Sequence, residues 1–112
     1  MKRIEFKVQG SQPEPYTVAF INIEGVVTAY CNCEAGQNGM HCKHRYRILA
    51  GNLENIVSKN LEDIKEVLSW LPGTRIESAV NTFKIAEKNF EKAKKEFPDA
   101  KRGLTSAFYG GK

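Results

Sequence analysis

Residues 31 to 44 read C-N-C-E-A-G-Q-N-G-M-H-C-K-H, a Cys-x-Cys pair, a spacer of eight residues, then Cys-x-His. Three thiols and an imidazole in two pairs suit zinc, a d10 ion most often held tetrahedrally by such groups in structural sites. Side chains in a strand repeat every two residues, so Cys31 and Cys33 can reach one ion from the same face. In a regular helix residues two apart point nearly opposite ways. Cys42 and His44 can therefore share an ion only if Cys42-Lys43-His44 lies on the approach to a helix or in its opening turn. The expected ligands are Cys31, Cys33, Cys42 and His44, with structural zinc as the cofactor. His41 competes for the nitrogen position, but it adjoins Cys42 and would need a more strained chelate. Two other readings of the thiols are weaker. Incidental cysteines would not cluster in one twelve-residue window beside a matching His. A redox pair would be expected as Cys-x-x-Cys at a helix N-terminus.

Working outward, Ile4, Phe6 and Val8 alternate with Arg3, Glu5, Lys7 and Gln9, which predicts a strand with one apolar face. Gly10 to Pro15 interrupts it, and Val18, Phe20, Ile21 and Ile23 resume a β-favouring run after Tyr16. Glu24-Gly25 suits a tight turn, and Val26 to Cys31 forms a third run ending in the first ligand. The expectation is a three-stranded antiparallel sheet feeding a ligand loop and a short helix, with Tyr46, Leu49 and Leu53 on its inner face and a stop at Gly51-Asn52.

Asn60 is a candidate N-cap for a second helical unit, with Leu61, Ile64, Leu68 and Leu71 at helical spacing before Pro72-Gly73. Thr74 and Glu77 form a capping-box pattern for the next helix. That helix carries Ile76, Phe83, Phe90 and Phe97 seven apart, and Ala79, Ala86 and Ala93 three residues after the first three. Such a seam of large and small residues calls for a closely approaching helix. The expected class is α+β: residues 1–58 a zinc-finger module, 59–100 an antiparallel helical hairpin, and 101–112 a loosely held tail rich in small residues. The longer helix overruns its partner, so Phe90 and Phe97 become candidate contacts for a protein partner or a second copy.

The arrangement C-x-C, spacer, C-x-H on a β-β-α frame resembles the SWIM zinc finger. Tyr16-Thr17-Val18 upstream, and Cys42-Lys43-His44 followed by Ile48-Leu49-Ala50 downstream, extend the likeness over about residues 16 to 51. Arg45, Tyr46 and Arg47 depart from it, standing where apolar residues are often seen. The resemblance implies a ββα finger associated with DNA binding and protein contacts.

The chain has 112 residues, 41% hydrophobic and 27% charged, with a formal net charge of +4. That is a globular composition, and the charge permits but does not demand phosphate contact. No apolar run has the length of a membrane span, and an odd number of cysteines fits a disulfide framework poorly, so a cytoplasmic location without membrane contact is expected. With four protein ligands the ion has no open position, and the sequence carries no phosphate-binding Gly-Lys-Ser/Thr motif, so no enzyme and no small-molecule substrate are expected. Lys43, Arg45 and Arg47 form a small basic patch and a candidate nucleic-acid contact.

Overall fold

The computed structural model describes residues 1–110. Strands β1 (Lys2–Val8), β2 (Tyr16–Ile23) and β3 (Val26–Cys31) form an antiparallel sheet in the order β1-β2-β3. The chain reverses between β2 and β3 at Glu24 and Gly25, both at positive φ (50° and 85°), as the favoured two-residue hairpin turn requires. Asn22 closes this turn by accepting the Gly25 N–H on Oδ1. The registers Phe6↔Val18 and Val18↔Cys31 put these three residues in one row across the sheet, and Ile4↔Phe20↔Ala29 lie in the next. Phe6, Val18 and Phe20 are completely buried, and the two rings meet edge-on with centroids 6.0 Å apart.

Beyond the sheet come one helical turn, α1 (Glu34–Gln37), and the helices α2 (Lys43–Leu49), α3 (Ile64–Ser69) and α4 (Arg75–Phe108), with a 3-10 turn at Leu61–Asp63 leading into α3. This is the expected α+β class, a three-stranded antiparallel sheet followed by helices. In α2 the buried face is His44, Ile48 and Leu49, while Tyr46 is half-buried.

Contacts divide the chain into one compact unit at Met1–Val80 and a second from Asn81 on. The chain on either side of residue 58 packs on the same sheet. Val57 N–H donates to Lys7 O, Gln9 N–H donates to Asn55 O, and Ile56 bridges Val8, so residues 55–57 run along the free edge of β1. Ile64, Val67 and Leu71 then enter the same apolar cluster as Phe6, Phe20 and Ile48, with Ile76 and Val80 packed against it. Asn60 stands at the N-cap position of the 3-10 turn, but its side chain makes no capping bond. Its side-chain amide donates to Glu5 O and Asp63 Oδ2, tying this segment to β1.

Thr74 caps α4 by accepting the Glu77 N–H, whereas the Glu77 carboxylate accepts from Gly73 rather than from Thr74. The helix then runs 34 residues, with Pro98 inside it. Residues 101–108, expected as a loose tail, continue the helix. Pro98 removes one donor, but Ala100, Lys101, Arg102, Leu104 and Ala107 are good helix formers that carry the helix past it. Among the described residues no helix is long and apolar enough to cross a membrane.

Candidate metal centre

Each ligand pair is placed by a change of backbone type. Cys31 ends β3, and Cys33, in extended conformation at φ −67° and ψ 164°, is the N-cap of α1. Cys42 is the N-cap of α2 at φ −130° and ψ 118°, and His44 follows in its first turn. The Cys-x-His step therefore opens the helix, as the geometry of two ligands two residues apart requires. Ligand atoms of Cys31, Cys33, Cys42 and His44 all lie within 4.8 Å of one another. His41 is exposed and outside this cluster.

The separations test the fit to zinc. Zn–S bonds of about 2.3 Å and Zn–N bonds of about 2.0–2.1 Å give a tetrahedron with edges of about 3.5–3.8 Å. Cys33 Sγ lies 3.5 Å from Cys42 Sγ, Cys42 Sγ lies 3.5 Å from His44 Nδ1, and Cys31 Sγ lies 3.7 Å from His44 Nδ1. The set is compatible with one tetrahedral ion bound through Nδ1. All four residues are buried, so thiolates here need a cation to compensate them.

The ionisable groups of the set are shifted in different directions. Burial drives the Cys31 thiol up to about 12. Burial also raises Cys42, but the N–H groups of Arg45 and His44 and the neighbouring thiols outweigh it and leave this group below its usual value. His44 is held below 6.5 by burial, aided by the positive charges of Lys43 and Arg47. A neutral imidazole is the form that binds metal.

The pH dependence takes its sign from these shifts. A His with a lowered folded value contributes stability that is complete above the unfolded value of about 6.5 and is lost as pH falls toward the folded one. Protonation of the thiolates acts in the same direction. Zinc release, monitored with a chromogenic chelator during acid titration, is expected to grow as pH falls and to steepen below about pH 6.5.

Residues outside the ligand set hold it in shape. Asn32, between the two cysteines, exchanges two hydrogen bonds with Thr17: its N–H donates to Thr17 O, and its Oδ1 accepts the Thr17 N–H at 2.8 Å. Arg45 donates to Ala29 O at 3.1 Å and to Met40 O at 2.7 Å, clamping the ligand loop to β3. Of the expected basic patch, Arg45 is thus engaged with backbone carbonyls, while Lys43 and Arg47 are exposed on α2. The Tyr16 ring packs on His44 at 4.9 Å between centroids.

Gly36 also supports the site. Its N–H donates to Cys33 Sγ at 3.3 Å, and a Cβ built on it would stand 2.2 Å from Cys31 O. That oxygen is backbone and cannot swing aside, so α1 or the end of β3 would have to move. Gly36→Ala is expected to weaken zinc retention by roughly 10–100-fold, the usual effect of losing a group that orients a metal ligand. Competition with a chelator of known affinity measures it. The signal available in the sequence was a glycine three residues after Cys33, which is not distinctive on its own.

The expected partner contacts lie on α4. Phe90 and Phe97 are each 64% exposed. No family model, no curated protein and no solved structure matches the chain.

Proposed function

We propose that this chain is a non-catalytic binding module whose N-terminal unit is organised by structural zinc and whose ligand is nucleic acid. Four protein ligands leave the ion no position for water or substrate, which supports a structural rather than a catalytic role. The likeness of the ligand pattern to the SWIM finger, on a sheet that leads into a helix, supports a binding role.

The observation that carries the choice of ligand is where the charge sits. Residues 1–80 contain nine basic and nine acidic residues, whereas residues 81–112 contain eight basic and four acidic, so the whole excess of +4 lies in the second stretch. Along α4, Lys88, Lys95 and Arg102 recur every seven residues and share one side of the helix, where Lys92, Glu91 and Asp99 flank them. Arg102 pairs with Asp99, and Lys92 beside the stripe lies 3.9 Å from Glu96. Lys88 and Lys95 are exposed and outside these pairs. A basic stripe along a helix meets phosphates without reading sequence.

Replacing Lys88, Lys95 and Arg102 by Glu is expected to weaken binding to unrelated oligonucleotides and to flatten the salt dependence by roughly 0.7–0.9 log units per lost contact. Lys43→Glu with Arg47→Glu, on the finger, is expected to have the smaller effect. Fluorescence anisotropy across a salt series measures both. Unchanged affinity in the triple variant at low salt would refute the reading.

A further inference from the structure

We propose that α4 forms an antiparallel coiled coil with the same helix of a second copy of this chain. Because the helix runs unbroken to Phe108, the seven-residue pattern is longer than Ile76 to Phe97. Large residues occupy 76, 83, 90, 97 and 104, and alanine occupies 79, 86, 93, 100 and 107. Every position from 85 to 108 is exposed, including Phe90 and Phe97 at 64% and Leu104 at 58%.

The alternation chooses the occupant and its direction. In a parallel pair each residue meets its own copy, giving ring-on-ring and alanine-on-alanine layers. The rings would set a spacing that leaves the alanine layers empty, and unfilled layers forfeit contact energy. Running oppositely, Phe83 meets the second copy's Ala100, Phe90 meets Ala93, and Phe97 meets Ala86, so every layer holds one large and one small side chain. Leu104 falls on Ala79 in the same register. Flanking side chains agree with it: oppositely charged Glu87 and the second copy's Lys94 face each other, and uncharged Asn89 faces Glu96, each twice by symmetry. Shifting the register by one heptad toward the C-terminus would instead set Lys94 against Lys94 and Glu96 against Glu96.

The area is also sufficient. Fully covered rings bury about 150–250 Å² each, so the exposed parts of three phenylalanines supply roughly a third to a half of the about 800 Å² per partner that a stable interface needs. Leu104, the alanines and the flanking stems provide the remainder. This inference is independent of the nucleic-acid reading, because an apolar seam persists in high salt whereas phosphate contacts do not.

Sedimentation equilibrium of the full zinc-loaded chain at high salt after nuclease treatment is expected to give a dimer. Phe90→Glu with Phe97→Glu should weaken it on the order of 100-fold or more while keeping zinc stoichiometry, which reports on folding of the first unit. Ala93→Leu should also weaken it, since the added bulk forces the helices apart; an ordinary leucine seam would instead be strengthened. Glu87→Lys and Lys94→Glu should each weaken the dimer, and combining them should restore it, because these positions face each other only in the antiparallel pair. A wild-type chain that remains monomeric overturns the inference and leaves the seam to another protein. A dimer strengthened by Ala93→Leu, or not restored by the double reversal, overturns the antiparallel packing.

Discussion

Chelation of zinc is expected to unfold residues 1–80 in one transition, taking the sheet, α2 and α3 together. The four candidate ligands are not a separate appendage. Cys31, Cys33 and Cys42 belong to the same apolar cluster as Phe6, Phe20, Ile48, Ile64, Val67 and Leu71. A unit of about eighty residues buries a modest share of its surface, whereas zinc in finger peptides supplies roughly 10–16 kcal/mol of apparent binding energy, as much as the whole stability of many domains. Removing the ion also leaves three thiols and an imidazole without the charge that compensated them. Circular dichroism and tryptophan fluorescence should change together, because Trp70 packs against this cluster. The ellipticity of α4 beyond Val80 should survive to the extent that its seam is covered. A two-step loss, with the sheet melting before α3, would show that the finger and residues 59–71 have separate cores after all.

The second large effect is Val67→Asp. Val67 is completely buried in α3, far along the chain from every candidate metal ligand. Placing a carboxylate there without a partner costs several kcal/mol, in effect desolvating a charge or forcing its protonation. If residues 59–71 formed a hairpin of their own, zinc binding would be indifferent to this change. Because Val67 shares its cluster with Cys31, Cys33 and Cys42, the destabilisation should pass to the metal, lowering apparent zinc affinity by about two orders of magnitude at about 1.4 kcal/mol per tenfold. Zinc titration against a competing chelator in wild type and variant reads the coupling directly. Equal affinities would sink the shared-core description.

These two results also bear on how the protein responds to its surroundings. If both hold, residues 1–80 are expected to respond to zinc supply and acid as a whole. Residues 81–108 of α4, in the second unit, carry a net charge of +3 and most of the Phe-Ala seam. The proposed nucleic-acid contact and the proposed pairing of helices therefore draw on opposite sides of the same helix, with Lys88, Lys95 and Arg102 on one and Phe83, Phe90 and Phe97 on the other.

Much of this was written locally in the chain. The alternation at Ile4, Phe6 and Val8 specified the inner face of β1, because side chains in a strand repeat every two residues whatever they pack against. Glu24-Gly25 specified its turn through the positive φ that glycine tolerates. Cys31, Cys33, Cys42 and His44 identified themselves by ligand chemistry and by a spacing that only a strand end and a helix start can satisfy. Thr74 specified the start of α4 through a bond to the Glu77 N–H.

What the tertiary structure alone decided were contacts between residues far apart in sequence, for which no local period exists. Leucine and isoleucine at helical spacing in residues 61–71 show that a helix has an apolar face, but not which surface will cover it. The free edge of β1 settled that by pairing with residues 55–57 and drawing Ile64, Val67 and Leu71 onto the sheet. Arg45 reads as an exposed cation until the fold brings Ala29 O and Met40 O to its guanidinium. Gly36 reads as a flexible spacer until Cys31 O occupies the space its Cβ would need. Periodicity and ligand chemistry act over a few residues and so can be read in sequence, whereas covering a face, committing a donor and excluding a methyl group depend on which distant backbone arrives there.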